Sequence, residues 1–429
     1  MNSKYLFFPD KFGSSLDHCF LFQGSCVQKI FGITLFISFV NAISFTILIP
    51  ILYLYGRSFG LTDLQTSMLF AVYAAAQFVA TPIIGKLSDR FGRKPLLLVS
   101  LAGTVVANAL AFSAGFGKIA VLLFVARFLD GITGGNVSVI QAIIADVSTP
   151  ENRAKSFGLF GAVTFGLGFT LGPAMSLILQ SLGRDLRETF LVSSILAMIA
   201  LLLTLVGLPE TNDYRSASQS AKWWDLGLGN LVTGLQLPRL GILFIINFFI
   251  GTTFTIFTFG FQPYFLKVLN QDNKSLTALF ILFGIIGALV QAKGLSILNR
   301  RFSLSIVLFL GLLMRGLTFL AMPALPNVAY FVAVSLLFSV FNAFVQPSIT
   351  ALISLNAKPE VQGMALGVNA SYLNVSNAFG PVIAGAVVNQ AAPETYRNPL
   401  LLAGVLTLSV LLLAVWQRRQ YEVTRPNLG

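Results

Sequence analysis

Uninterrupted apolar runs recur along the chain at roughly 30–54, 64–84, 95–116, 118–144, 156–180, 188–208, 240–266, 276–298, 303–325, 327–350, 362–390 and 399–417. Each approaches or exceeds the ~20 residues that a helix needs to cross a hydrocarbon core. None has the alternating rhythm of a barrel strand, which excludes a membrane β-barrel. The pattern predicts an all-α membrane protein with twelve transmembrane helices. A longer polar connection separates the first six from the last six. The chain therefore divides into a cytoplasmic N-terminal tail (1–29), an N-terminal six-helix bundle (30–208), a central cytoplasmic loop (209–239), a C-terminal six-helix bundle (240–417) and a cytoplasmic C-terminal tail (418–429).

The two halves repeat each other. STPENRAKSFG at 148–158 is answered by AKPEVQGMALG at 357–367, and Gly172-Pro173 in span five by Gly380-Pro381 in span eleven. The offset of 208 or 209 residues joins spans of the same orientation. It predicts a parallel duplication: two pseudo-symmetric six-helix bundles with a substrate path between them.

Composition agrees. Of 429 residues 55% are hydrophobic and 10% charged, too few charges to cover a soluble surface. The net charge of +12 is a matter of topology. With both termini cytoplasmic, the inner connections collect Lys86, Arg90, Arg93, Lys94, Arg153, Lys155, Arg300, Arg301, Lys358, Arg418 and Arg419, as the positive-inside rule requires. No nucleic-acid partner follows from such a distribution, and the location implied is a plasma membrane or bacterial inner membrane. Cys19 and Cys26 precede the first span, where a reducing cytoplasm leaves no disulfide framework. The tail lacks the compact apolar core and cleavage pattern of a signal peptide.

Charges inside the spans need a partner or a wet cavity. Arg127 and Asp130 lie three residues apart in span four, on one helical face. Two readings stand: Asp130 is a proton-coupling carboxylate with Arg127 its conformational partner, or the two form a fixed pair that holds the helix. Arg315 in span nine reads as structural or as snorkelling toward the lipid headgroups. Amides recur at helical spacing in Asn41, Gln77, Gln141, Asn247, Gln262, Asn342, Gln346, Asn374 and Asn377. Singly, each suits an interhelical hydrogen bond; together they read as the lining of a substrate cavity. Gly168, Gly172, Pro173, Gly380 and Pro381 predict close helix packing and local bends.

Between spans two and three runs Gly85-Lys-Leu-Ser-Asp89-Arg90-Phe-Gly92-Arg93-Lys94-Pro95. By itself it is a tight basic loop in which Gly85 and Gly92 permit close backbone approach, with one carboxylate among four cations. Its spacing resembles the signature loop of the major facilitator superfamily. Twelve spans, two related halves and a central loop extend the resemblance over nearly the whole chain. Arg127-Phe-Leu-Asp130-Gly131 resembles that family's R-x-x-x-G element, and Gly168-x-x-x-Gly172-Pro173 the motif of its drug/proton antiporters. The nearest branch is the twelve-span, tetracycline-exporter-like one. Two departures stand out: the second-half loop LSILNRRFS at 295–303 has no Asp, and Ser176 stands where a glycine is expected.

The resemblance implies a secondary transporter that works by alternating access, with two bundles rocking about a midplane cavity. It implies that Asp89 and Arg90, with Arg153 nearby, form a cytoplasmic latch that must break during transport. The activity it implies is proton-coupled export of small amphipathic compounds, multidrug or tetracycline-like, by a monomer. Partners are then a small-molecule substrate, protons and the lipid bilayer. No enzyme is expected. The single histidine, His18, lies in the tail, no phosphate-binding loop is present and no cluster has metal-ligand spacing. No cofactor is therefore expected beyond a proton gradient. Two alternatives stay open: an importer or facilitator of a metabolite such as a sugar or organic anion, and a non-transporting sensor on a transporter fold.

Overall fold

The computed structural model describes residues 23–149, 153–212, 234–237, 239–291, 302–357 and 362–422, and among them every regular element is helical. Span one is Gln23–Thr46 continued by Leu52–Ser58, span two Asp63–Phe91, span three Arg93–Gly117, and span four Ala120–Thr133 with Asn136–Asp146. Span five joins Arg153–Gly161 to Gly168–Ser181 through π-helical Ala162–Leu167, and span six is Leu186–Gly207. Spans seven to twelve are Leu240–Pro263, Asn273–Leu289, Leu304–Ala321, Val328–Asn356, Gln362–Ala386 and Asn398–Trp416. Ten helices are long and apolar enough to cross a bilayer. Span eight is a shorter apolar helix, and span eleven, with its Asn and Ser residues, completes the twelve.

Apolar side chains fill the core and also cover much of the surface. Val206 (87% exposed) and Trp416 (78%) face outward, whereas Arg127, Asp130 and Arg315 are buried. A surface of that kind is solvated by hydrocarbon, and only helices satisfy their own backbone there. Span ends are marked by side-chain caps. Thr62 and Gln65 form a reciprocal capping box at span two, Asp272 accepts from Ser275 N at span eight, and Asn327 accepts from Tyr330 N at span ten.

Two spans carry breaks that their apolar runs do not show, and the turn expected at Gly85 is corrected. Span one is not one rod: Pro50 has no N–H to donate, Ile49 N and Ile51 N turn back to Thr46 O and Leu48 O, and the helix resumes only at Leu52. Span four is interrupted at Gly134 and Gly135, where a side chain at Gly135 would collide with Ile84 of span two. Gly85 is not in a turn; it lies within the span-two helix with open space at its Cβ position. The turn is Gly92 alone, at φ 107°, a conformation that favours glycine. Most of the central loop, 213–233, lies outside the described residues, as do the N-terminal tail up to residue 22 and residues 423–429.

The duplication is visible as a repeated contact. Thr46 of span one donates to Gly168 O of span five at 2.7 Å, and any side chain at Gly172 would overlap the Thr46 hydroxyl. In the second half, Thr255 of span seven donates to Ser376 O of span eleven at 3.2 Å, and a side chain at Gly380 would overlap Thr255. Across the halves, span two packs on span eleven and span five on span eight. Gly385 closes on Ser67 in the first pair, and Gln180 donates to Thr277 Oγ1 at 3.0 Å in the second.

Candidate functional site

Arg127 Nη1 meets Asp130 Oδ2 at 2.9 Å, and their side chains are only 6% and 9% exposed. Gly131, one residue on, lets span four approach the backbone of Tyr73 in span two. That approach brings the Tyr73 ring to 4.2 Å from the Arg127 guanidinium carbon. On its other side Tyr73 stacks with Phe45 of span one, centroids 5.7 Å apart, and Gln77 Nε2 donates to its hydroxyl at 3.1 Å. Phe45 is 40% exposed. A single ring therefore separates the partly exposed Phe45 of span one from the buried pair.

Behind the pair, spans three, four and six leave a niche lined by Ala107, Asn108, Ala111, Ala126, Arg127, Asp130 and Phe190 and too narrow to seat a water. Thr104 lies beside the carboxylate, and Arg127 Nε has no hydrogen-bond partner. The pair is dry. In such surroundings each charge depends on the other, because an unpartnered buried charge costs about 3–5 kcal/mol.

The predicted cavity amides divide into two groups. Asn41 accepts from Asn136 Nδ2 at 3.0 Å, Asn247 donates to Asn369 Oδ1 at 2.6 Å, and Gln262 donates to Thr258 O at 2.9 Å. These three are buried, Asn247 and Gln262 completely, and the expectation that they line a cavity is corrected: Asn41 and Asn247 tie helices together, and Gln262 bonds back to its own helix. Gln77 holds Gly134 O at 3.0 Å across the break in span four. The others, Gln141, Asn342, Gln346, Asn374 and Asn377, are all partly exposed, and no side-chain hydrogen bond joins them to another described residue. Arg315 does not snorkel. It is 1% exposed and donates to Ile250 O and Thr253 Oγ1, both at 2.8 Å, between the rings of Phe254 and Phe319.

At one end of the molecule the signature loop is fastened to its own half. Asp89 pairs with Arg93, whose Nε also reaches Asp146 Oδ2 at 3.0 Å. Arg90 lies over the Phe91 ring, and the side chain of Arg153 lies outside the described residues. Sequence reasoning missed the clamp on this loop. Glu210 accepts from Arg93 N at 2.8 Å and Lys94 N at 3.3 Å, at the N-terminus of span three, and Asn212 Nδ2 donates to Asp89 O at 2.7 Å. A carboxylate at that position is favoured by the free N–H groups and the helix dipole. The available signal was the acidic residue of LPETN directly after span six.

At the opposite end Asp63, 1% exposed, begins span two. Its carboxylate accepts from Tyr53 of its own half at 2.6 Å and, from the other half, from Tyr396 at 2.9 Å and Lys267 at 3.4 Å. This cluster was also missed, because its members are scattered over 343 residues of sequence from Tyr53 to Tyr396.

Comparison with known proteins adds the following. A profile described as Major Facilitator Superfamily matches residues 34–306 and 243–428. The class B tetracycline resistance protein of Escherichia coli is 26% identical over 374 residues, covering 84% of this chain and 89% of that protein. Multidrug resistance protein 2 of Bacillus subtilis (strain 168) is 24% identical over 419 residues, covering 93% and 98%. The crystal structure of the human organic anion transporter MFSD10 (TETRAN) matches with a TM-score of 0.70 and 20% identity, over 90% of this chain and 99% of that one.

Proposed function

The chain belongs to the major facilitator superfamily, and from that premise we propose that it is a member of the drug-efflux branch that exports small amphipathic compounds in exchange for protons by alternating access. The observation that carries the coupling is the buried Arg127–Asp130 pair, one ring away from the partly exposed Phe45 of span one. Protonating Asp130 there leaves Arg127 without its counter-charge, so proton binding and hydration of the niche must occur together. A conformational change that admits water to the pair is thereby coupled to the proton.

The five open amides support a wet interior. Hydrocarbon cannot satisfy them, so the space they face holds water or solute. The lining they offer is uncharged, which suits neutral, zwitterionic or metal-chelating compounds, and the names of the relatives speak of tetracycline and multidrug resistance. Asp63 bonds across the halves while Asp89 bonds within its own. This supports a state closed at the Asp63 end, opposite the Asp89 end. The basic residues around Asp89 make that the cytoplasmic end, with both chain termini on the same side. Both bundles lie in one chain, so a monomer contains the whole path.

An organic-anion carrier built on Arg315 would need that guanidinium in the interior. Instead it is buried against the backbone of span seven. The test is flux into proteoliposomes of purified protein, with compounds first selected by thermal shift. Accumulation driven by an imposed pH gradient in the parent, and lost in Asp130→Asn, is the expected result. Accumulation retained in Asp130→Asn overturns the proton-site assignment.

A further inference from the structure

Asp63 collects donors from three separate elements. From its own half come Tyr53 Oη at 2.6 Å and Arg57 Nε at 3.7 Å, both on the short helix Leu52–Ser58. From the other half come Lys267 Nζ at 3.4 Å, at the end of span seven, and Tyr396 Oη at 2.9 Å, on the turn before span twelve. Lys267 and Tyr396 are also hydrogen-bonded to each other. Gln390, on the connection after span eleven, completes the set. With its amide oriented to match its neighbours, its oxygen accepts from Asp63 N at 2.6 Å and from Arg57 Nη1 at 2.8 Å. Asp63 N is one of the helix-end donors that lack an intrahelical partner. Both ends of the Asp63 residue, backbone and side chain, are thus held by the opposite half.

We propose that Asp63 is a lock that holds this end of the transporter shut, with Tyr396, Lys267 and Gln390 as its keepers on the opposite half. The inference rests on the alternating-access reading of the preceding section. Tyr53 and Arg57 travel with Asp63 in every state of a rocking cycle, because they belong to the same bundle. They solvate the carboxylate equally well whether this end is open or closed, so they cannot bias the choice. The keepers contribute only while the end is closed. Charge-assisted hydrogen bonds to a nearly dry carboxylate are among the stronger polar contacts in proteins, and their loss on opening is compensated only by water. The lock therefore favours the closed arrangement of this end. It acts on the opposite face from the Asp89 loop, and the second half has no acid in the loop corresponding to Asp89. The two ends are thus held by chemically different devices.

The distinction between residues that travel with Asp63 and residues that part from it makes the proposal testable without any substrate. Ser67, fully buried in span two against Gly385 of span eleven, becomes accessible only when this end opens. With Cys19 and Cys26 replaced by Ser, a Ser67→Cys thiol is labelled by a bulky maleimide in purified protein held in lipid nanodiscs, where both faces are reachable. Asp63→Asn should raise the labelling rate about tenfold, and Tyr396→Phe and Lys267→Met several-fold each. Tyr53→Phe should stay within about twofold of the parent. Tyr396→Phe is a conservative change that keeps the experiment informative where Asp63→Asn fails to fold. Unchanged labelling in Tyr396→Phe and Lys267→Met overturns the lock, and so does an equal rise in Tyr53→Phe, which would mark a merely structural cluster. Because labelling reads conformation and proteoliposome flux reads coupling, a protein that moves no protons can still show the lock. A coupled exporter without these shifts refutes the lock alone.

Discussion

Among the described residues Arg127 and Asp130 are each other's only charged partners, in a niche too narrow for water: Nη1 and Oδ2 stand 2.9 Å apart on one face of span four. Removing either member strands the other. In thermal unfolding of the detergent-solubilised protein, Arg127→Gln and Asp130→Asn should each destabilise by about 3–5 kcal/mol, and the double variant by less than either single one. Additive losses would show that the two do not act as a pair.

The repeated threonine–glycine contact sets a second expectation. Gly172→Ala and Gly380→Ala force a methyl into Thr46 and Thr255 and should each cost about 1–3 kcal/mol. Adding Thr46→Ala to Gly172→Ala should recover part of the loss. Gly161→Ala, on the same span with open space at its Cβ position, should be neutral or slightly stabilising. The readout is the unfolding midpoint of each variant.

The amides separate by partner. Asn369→Ala leaves Asn247, already completely buried, with no partner for its amide, and should destabilise by about 1–3 kcal/mol. Asn342→Ala, Gln346→Ala and Asn374→Ala remove groups that bond no other described residue through their side chains. They should keep stability within about 0.5 kcal/mol while changing the affinity for transported compounds. A thermal-shift titration measures both quantities on the same samples.

The clamp on the signature loop predicts a kinetic effect. Glu210→Ala frees the N–H groups of Arg93 and Lys94 and should cost roughly 1 kcal/mol. It should also slow turnover, because Asp89 is then less firmly placed. Asp89→Asn should slow turnover with full-length protein still inserted in the membrane. Normal flux in both variants would remove the loop from the gating account.

Much of the fold is legible because a bilayer imposes its own arithmetic on the chain: the twelve apolar runs became helices at the expected places. The breaks were less visible. Pro50 breaks span one through its own missing N–H, whereas Gly134 and Gly135 read as ordinary residues of a long span until the approach of Ile84 is seen. The site was legible by residue type and not by direction. Arg127 and Asp130 were flagged because charge is rare at that depth, and their pairing follows from their spacing. Asn247 and Gln141 look alike in sequence, yet one is sealed against Asn369 and the other open. Only packing distinguishes them. Asp63 was overlooked for a further reason: its partners Lys267 and Tyr396 join it only when the two bundles meet.

The most direct test of the account follows proton and solute movement in the same proteoliposomes, with a pH-sensitive dye inside and a labelled compound outside. An imposed proton gradient should drive the compound in the direction opposite to the protons, and both fluxes should vanish together in Asp130→Asn. Solute movement that proceeds with no accompanying proton flux, or in the same direction as the protons, would contradict it.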